Sequence, residues 1–121
     1  MKILLVEDNV KMRSFLRKMI EREIVTVEEF YECEDGAQAV ELYQKYCPDW
    51  VLMDIQLQTI DGLDATRQIF NFNPSAKVII VTQFDDSEYR EEARTIGVAS
   101  YVLKDELISI PKMLKEKNEI G

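Results

Sequence analysis

The sequence of 121 residues contains no histidine. This absence excludes a histidine general base, histidine metal ligands and a phosphohistidine formed on this chain. Aspartate, glutamate, lysine, serine, threonine, tyrosine and two cysteines are left as reactive groups. Any chemistry at this chain therefore depends on carboxylates, hydroxyls, amines or thiols.

Cysteine and long apolar runs are also scarce. Cys33 and Cys47 form neither a CxxC pair nor a disulfide framework, so we expect two reduced, buried thiols. The first apolar run, Ile3–Val6, is too short for the core of a signal peptide, and no run approaches the roughly 20 residues of a membrane span. The sequence therefore predicts a cytoplasmic protein without a membrane partner.

Positive charge is in deficit, with 15 Lys and Arg against 23 Asp and Glu and a formal net charge of −8. Such a chain repels a phosphate backbone, so we predict no direct nucleic-acid binding by this segment. Apolar residues make up 46% of the sequence, enough for a core of its own. The length predicts one domain, residues 1–121.

Five short apolar runs alternate with stretches long enough for a helix, and these runs are Ile3–Val6, Phe30–Cys33, Trp50–Met53, Val78–Thr82 and Tyr101–Leu103. Runs that are almost continuously apolar indicate strands buried on both faces, as in a parallel sheet covered by helices. The sequence predicts an α/β fold, a (βα)5 doubly wound five-stranded parallel sheet.

Turn residues and helical spacing agree with this alternation. We predict helix starts, ends or turns at Asp35-Gly36, Pro48, Asp61-Gly62, Asn73-Pro74 and Ile96-Gly97. In the first helix, apolar residues recur at three- and four-residue spacing, and we expect Met19 with Phe15 or Leu16 to fill the core.

Polar residues follow the predicted strands where each strand ends. Glu7 and Asp8 follow the first strand, Asp54 follows the third, Thr82 closes the fourth and Lys104 follows the fifth. The carboxyl ends of parallel strands share one edge of the sheet, where such folds bind ligands. We therefore predict one acidic pocket at this edge.

Clustered carboxylates repel one another unless a cation neutralises them. Oxygen-only ligands favour Mg²⁺, with Mn²⁺ as the alternative. Asp54 ends a buried strand and is the best candidate for a nucleophile that takes a phosphoryl group, while Lys104 and Thr82 are placed to contact phosphoryl oxygens. Alone, Asp8-Asn9 would predict only a helix cap, and Lys104 a solvated side chain.

The ordered motifs resemble one family, the receiver domains of two-component response regulators. The resemblance rests on KILLVEDN at 2–9, EDGAQAVEL at 34–42, PDWVLMDI at 48–55, Asp61-Gly62, VIIVTQF at 78–84 and GVASYVLKD at 97–105. Lys104-Asp105 is similar to receivers of the NarL and FixJ group. The resemblance covers nearly the whole chain and implies the flavodoxin-like strand order 2-1-3-4-5.

The resemblance also implies roles for individual residues. Glu7, Asp8, Asp54 and the backbone carbonyl of Gln56 would hold Mg²⁺. Asp54 would be the phosphoacceptor, taking the phosphoryl group from a phosphohistidine of a sensor histidine kinase or a histidine phosphotransfer protein. Lys104 would contact that group. Thr82 and Tyr101 would move together as a switch.

The implied output is a signalling surface and not turnover of a substrate. We expect no enzyme activity beyond the chain's own phosphorylation and dephosphorylation. The output surface would consist of the fourth helix, fifth strand and fifth helix, and a homodimer through that face would tighten with phosphorylation. The chain is expected to be either a stand-alone receiver or the amino-terminal part of a longer regulator.

The sequence departs from the family pattern near the pocket. Gln58 replaces a common proline after the acceptor, which predicts a more mobile loop from Asp54 to Gly62. Gln83 and Phe84 follow the switch threonine, and we expect them to restrict the approach of water to an acyl phosphate.

Two other functions are consistent with parts of the sequence. A haloacid-dehalogenase-type phosphatase also uses an aspartate nucleophile, but its acid/base position is occupied by Gln56 and the chain has little room for a substrate cap. A receiver-like interaction module that is never phosphorylated would not need the five residues Glu7, Asp8, Asp54, Thr82 and Lys104 together.

Overall fold

The computed structural model describes residues 1–24 and 26–120, with side chains up to Lys115. Five strands and five helices alternate along the chain. The strands are β1 (Lys2–Val6), β2 (Glu29–Cys33), β3 (Trp50–Met53), β4 (Val78–Thr82) and β5 (Ser100–Leu103). The helices are α1 (Val10–Glu23), α2 (Gly36–Tyr46), α3 (Gly62–Phe72), α4 (Ser87–Ile96) and α5 (Ile110–Ile120), the last preceded by a 3-10 turn, Leu107–Ser109.

The strands form one parallel sheet in the order β2-β1-β3-β4-β5. This confirms the predicted doubly wound α/β fold and its strand order. Val6 pairs with Cys33 on one side and with Met53 on the other. The residues that follow these three positions therefore leave the sheet at the same level.

Alternate strand residues point to opposite faces of the sheet and supply two cores. One core packs beneath α2, α3 and α4 and includes Leu4, Val6, Met53, Ile80, Tyr43, Leu63, Ile69 and Ala93. The other packs beneath α1 and α5 and includes Ile3, Leu5, Trp50, Leu52, Val81, Leu16, Ile20 and Leu114. Burial on both faces explains why β1, β3 and β4 are almost continuously apolar.

The helix boundaries follow the predicted signals, with one refinement. Asp35 caps α2, and Gly97 ends α4 in the left-handed conformation at φ 104°. Asp61-Gly62, predicted as a turn, is the start of α3, because the Asp61 side chain accepts a hydrogen bond from the Asp64 N–H.

One prediction about burial is wrong, and another is met by Leu16, one of its two alternatives. Cys33 is buried but Cys47 is exposed, because Cys47 follows the last turn of α2 in a left-handed conformation (φ 45°). In α1 the core positions are Leu16 and Ile20, with Met19 half-buried, whereas Phe15 is 55% exposed. Within the described residues, no helix has both the length and the apolar character needed to cross a bilayer.

Candidate functional site

The main chain carries Glu7 and Asp54 just beyond the ends of β1 and β3. The Glu7 N–H donates to the Cys33 carbonyl at 3.1 Å, and the Asp54 N–H donates to the Val6 carbonyl at 3.1 Å. These bonds extend the sheet pairing by one residue on each strand. Glu7 and Asp54 are consequently held side by side, and only 2% and 5% of their surfaces are exposed.

Three carboxylates meet at this edge. One oxygen each from Glu7, Asp8 and Asp54 lies within 4.8 Å of the others. Asp8 is exposed, whereas the other two are buried. The structure thus brings together the three acidic residues that the sequence analysis singled out.

Lys104, just after β5, reaches into the acidic cluster. Its Nζ lies 2.6 Å from Glu7 Oε1 and 2.9 Å from Asp54 Oδ2. Burial alone would lower the pKa of Lys104, but the hydrogen bonds to Glu7 and Asp54 together raise it above its ordinary value. The side chain therefore stays cationic and neutralises part of the cluster.

Glu7 is the most constrained member of the cluster. Its Oε2 accepts from the Asn9 N–H at 3.1 Å while Oε1 accepts from Lys104. Burial raises the pKa of Glu7, and the Asp54 charge and the Asp8 side chain act in the same direction, whereas Lys104 and the Asn9 N–H oppose them. Negative charge at this position is costly, and an added cation would relieve that cost.

The donor set suits a hard divalent cation. A cavity of about 220 Å³ lies over the cluster and is lined by Asp8, Asn9, Asp54, Gln56, Gln83, Phe84 and Lys104. Two carboxylates, those of Asp8 and Asp54, line this cavity, and oxygen ligands together with water are typical of Mg²⁺ sites. The residues present therefore fit magnesium, and Glu7, Asp8 and Asp54 would supply its carboxylate oxygens.

Thr82 and Tyr101 are linked to each other through Phe84. The Phe84 N–H donates to Thr82 Oγ1 at 3.3 Å, and the Tyr101 hydroxyl donates to the Phe84 carbonyl at 2.6 Å. Thr82 is fully buried, and the guanidinium of Arg90 lies 4.6 Å from the Tyr101 ring centroid. One peptide segment after β4 thus bridges the two residues predicted to form the switch.

The loop after Asp54 is tied to the start of α2. Gln58 pairs with Asp35 in an isolated parallel bridge, the Gly36 N–H donates to the Gln58 carbonyl at 3.3 Å, and the Ala37 N–H donates to Thr59 Oγ1 at 3.2 Å. These bonds restrain the loop despite the absence of proline at position 58. The loop ends at Gly62, whose backbone approaches that of Asp54 closely. A Cβ atom at position 62 would lie 1.8 Å from the Asp54 carbonyl oxygen, so only glycine fits there without a shift.

Sequence reasoning gave Asp8-Asn9 as a helix cap but missed the support that Asn9 and Arg13 give to Glu7. Asn9, and not Asp8, caps α1, since its side chain accepts from the Met12 N–H. Arg13 Nη1 donates to the Glu7 carbonyl at 2.6 Å. The capping preference of asparagine was a visible signal, whereas nothing in the linear sequence marks Arg13.

A family model for the response regulator receiver domain matches residues 3–115. The chain belongs to this family. Receiver domains of two-component systems bind Mg²⁺ at an acidic pocket and interact with histidine kinases or phosphotransfer proteins. In this receiver domain the acidic pocket is the Glu7, Asp8 and Asp54 cluster.

Individual relatives differ in how much of their length this receiver matches. Chemotaxis protein CheY of Halobacterium salinarum is 37% identical over 84% of this chain and 82% of its own. Transcriptional regulatory protein DegU of Brevibacillus brevis is 33% identical over 85% of this chain but 43% of its own. The crystal structure of a DNA-binding response regulator of the LuxR family from Staphylococcus aureus superimposes on this chain with a TM-score of 0.89. The two are 27% identical in sequence, and the match covers 97% of this chain and 98% of that chain.

Proposed function

We propose that this receiver domain is a phosphorylation-controlled switch in which Asp54 accepts a phosphoryl group from a partner's phosphohistidine. The observation that carries the proposal is the environment of Asp54. Its carboxylate is buried at a strand end, lies 2.9 Å from Lys104 Nζ, and shares a cavity with Asp8 and Gln56. A nucleophile, a cation for the phosphoryl oxygens and donors for a metal are thus within one pocket.

The transfer exchanges one bond to phosphorus for another. A carboxylate oxygen of Asp54 forms the new O–P bond while the P–N bond of the donor breaks, and the imidazole nitrogen keeps the electron pair and takes up a proton. The donor histidine must come from the partner because this chain has none. A sensor histidine kinase or a histidine phosphotransfer protein supplies it.

Asp8, Asp54, Glu7 and the Gln56 backbone carbonyl would hold Mg²⁺, or Mn²⁺ in its place. When bound, the ion offsets the negative charge on the phosphoryl oxygens. Lys104 would contact those oxygens after its bond to Glu7 breaks. The ammonium that neutralises the unphosphorylated carboxylates would then neutralise the phosphoryl group. The domain catalyses only its own phosphorylation and dephosphorylation.

The conformational change caused by phosphorylation passes from the pocket to the surface through Thr82 and Tyr101. A phosphoryl oxygen on Asp54 would accept a hydrogen bond from the Thr82 hydroxyl and draw it toward Asp54, and the Phe84 N–H, which donates to the same hydroxyl oxygen, would follow it. A shift of Phe84 changes the carbonyl that Tyr101 holds, so the tyrosine ring and the surface of α4, β5 and α5 change together. We expect this surface to bind a second copy more tightly after phosphorylation, which sedimentation with and without beryllofluoride measures.

The relatives leave two settings for such a switch. CheY is named as a chemotaxis protein and DegU as a transcriptional regulatory protein, and this chain spans most of the first but less than half of the second. The net charge of −8 argues against nucleic-acid contact by the receiver itself in either setting. We place the protein in the cytoplasm, where its kinase would present the phosphohistidine.

Intact-mass measurement after incubation with acetyl phosphate and Mg²⁺ tests the proposal. We expect one phosphoryl group per chain, lost in Asp54→Asn and retained in Asp64→Asn, a control at an exposed aspartate of α3. An unmodified wild-type chain would contradict the proposal and favour a non-phosphorylated interaction module. Continuous hydrolysis of small phosphate esters would favour a phosphatase.

A further inference from the structure

Glu7 is fixed at every polar group it carries. Its N–H donates to Cys33, its two carboxylate oxygens accept from Lys104 and the Asn9 N–H, and its carbonyl accepts from Arg13 Nη1 at 2.6 Å. The carbonyl contact is the distinctive one, because that oxygen belongs to the peptide unit that joins Glu7 to Asp8. Whatever orients this peptide also orients the backbone of the exposed carboxylate beside it.

The Arg13 guanidinium, which donates to this carbonyl, also bonds to a residue of β2. Arg13 lies on the first turn of α1, and its Nε donates to Glu32 Oε1 on β2 at 3.1 Å. Its side chain is only 17% exposed. A planar guanidinium with two of its N–H groups engaged has little freedom to rotate. The Glu7–Asp8 peptide is therefore clamped between α1 and β2.

Arg17, one turn further along α1, provides an internal comparison. Its Nη1 lies 2.7 Å from Glu32 Oε2, so both arginines share one glutamate. Arg17 bonds in addition to Glu21, on its own helix, and its side chain is 44% exposed. The two arginines thus have the same charge and the same acidic partner, but only Arg13 contacts the loop that carries Asp8.

We propose that Arg13 is a positioning residue for the metal site, which acts through the Glu7 carbonyl to set the placement of Asp8. This inference rests on the proposed function, since it assumes that Asp8 binds Mg²⁺. Groups that orient a metal ligand without touching the metal commonly contribute 10- to 100-fold in metal affinity. Loss of Arg13 should therefore weaken Mg²⁺ binding, although it removes a positive charge from the neighbourhood of a cation site.

The sign of the effect separates positioning from simple electrostatics. A nearby positive charge repels Mg²⁺, so removal of charge alone would tighten metal binding. Arg13→Met and Arg17→Met remove the same charge and each leave Glu32 one arginine. Only the first also frees the Glu7–Asp8 peptide. Weaker binding in Arg13→Met together with unchanged or tighter binding in Arg17→Met is the pattern that positioning predicts.

Calorimetric titration of the full chain with Mg²⁺ tests the proposal. We expect the dissociation constant to rise about tenfold in Arg13→Met and to stay within about twofold of wild type in Arg17→Met. In phosphorylation by acetyl phosphate, Arg13→Met should raise the Mg²⁺ concentration for half-maximal rate by about tenfold. The rate at saturating Mg²⁺ should stay within about threefold of wild type, because the nucleophile and Lys104 are untouched.

Two results would overturn the proposal. One is an Arg13→Met variant that binds Mg²⁺ as tightly as wild type, and the other is an Arg17→Met variant whose Mg²⁺ affinity falls as much as that of Arg13→Met. If Arg13→Met does not fold, Arg13→Lys decides, since a lysine keeps the charge but replaces the two separate nitrogens that bond Glu32 and the Glu7 carbonyl with a single ammonium on a flexible chain. An affinity equal to wild type would then overturn the proposal. Asp8→Asn separates the two levels. Loss of Mg²⁺ binding there with intact binding in Arg13→Met contradicts the positioning role alone, whereas a wild-type chain without Mg²⁺ binding contradicts the proposed function as well.

Discussion

Lys104 Nζ lies closer to Glu7 Oε1, at 2.6 Å, than to Asp54 Oδ2, at 2.9 Å. One ammonium therefore ties the end of β5 to the ends of β1 and β3. This ammonium is the cation that balances the carboxylates in the structure. A metal held by Glu7 would have to compete with Lys104 for that carboxylate.

Substitution Lys104→Met should destabilise the metal-free domain by about 2 kcal/mol, because breaking a largely buried ion pair leaves its charged partners uncompensated. The side chain is 17% exposed, so the cost is smaller than for a fully buried pair. Saturating Mg²⁺ should narrow the gap to wild type, since the ion replaces the missing charge. Urea unfolding with and without Mg²⁺ measures both effects.

Lys115→Met is the matched control for this prediction. Lys115 Nζ lies 4.0 Å from Glu23 Oε2, and both side chains are about half exposed. Loss of this pair should change the free energy of unfolding by less than about 1 kcal/mol. A Lys104→Met domain that is as stable as wild type in the absence of Mg²⁺ would show that Lys104 does not neutralise the cluster.

Gly62→Ala should be far more disruptive than Gly97→Ala. A Cβ atom at Gly62 would lie 1.8 Å from the Asp54 carbonyl oxygen, whereas at Gly97 nothing lies within 4 Å and only the positive φ of 104° is unfavourable. We expect a cost of about 3 kcal/mol or more for Gly62→Ala and about 1 kcal/mol for Gly97→Ala. Equal losses of stability would contradict the close approach of α3 to the main chain of Asp54.

The two thiols should differ sharply in reactivity. Burial raises the pKa of Cys33 to about 12, and the Asp35 charge adds to the effect, so this thiol stays protonated at pH 8. Exposed Cys47 should be alkylated by iodoacetamide in the folded domain, and Cys33 only after unfolding. Peptide mapping at increasing urea distinguishes them. Rapid alkylation of Cys33 in the native state would contradict its burial.

The same pKa shift predicts an alkaline loss of stability. Because the folded pKa of Cys33 lies above the ordinary value of 9.0, its contribution is complete below pH 9.0 and is lost as the pH rises toward about 12. Cys33→Ala should remove this part of the pH dependence, while Cys47→Ala should leave it unchanged. Unfolding free energies compared between pH 8 and alkaline pH provide the test.

Phe84→Ala and Gln83→Ala should shorten the lifetime of the phosphorylated state. Both residues line the cavity over Asp54, and the Phe84 ring packs edge-on against Tyr89 at a centroid distance of 6.0 Å. Smaller side chains open a path for water to the acyl phosphate. Dephosphorylation followed by intact mass should be several-fold faster in at least one variant, and unchanged rates in both would contradict a shielding role.

The sequence predicted the sheet well because buried parallel strands leave a strong pattern. The runs at Trp50–Met53 and Val78–Thr82 coincide with the observed strands. The residues after them could be assigned to one edge by topology alone. Placing Asp54 near Lys104 therefore required no side-chain information, only the parallel arrangement of the strands and the strand order that the family resemblance implied.

Details that depend on side-chain placement were beyond the sequence. Phe15 satisfies the helical spacing of a core residue but is exposed, because the spacing is wider than one face of α1. The contact of Arg13 with the Glu7 carbonyl joins a side chain to a main-chain atom, and no residue type at position 7 reveals it. The pairing of the Gln58 backbone with Asp35 was likewise not visible in the sequence, and the greater loop mobility expected from Gln58 stays a prediction.

Identification of the carboxylate that carries the phosphoryl group tests directly whether Asp54 is the phosphoacceptor. Three carboxylates lie within 4.8 Å of one another, so a mass increase alone does not assign the acceptor. Borohydride reduction of the phosphorylated chain converts an aspartyl phosphate to homoserine, which peptide sequencing by mass spectrometry locates. We predict homoserine at residue 54 and none at residue 8. Homoserine at residue 8 would contradict the assignment of Asp54 as the phosphoacceptor. So would a phosphorylated chain in which no residue is reduced.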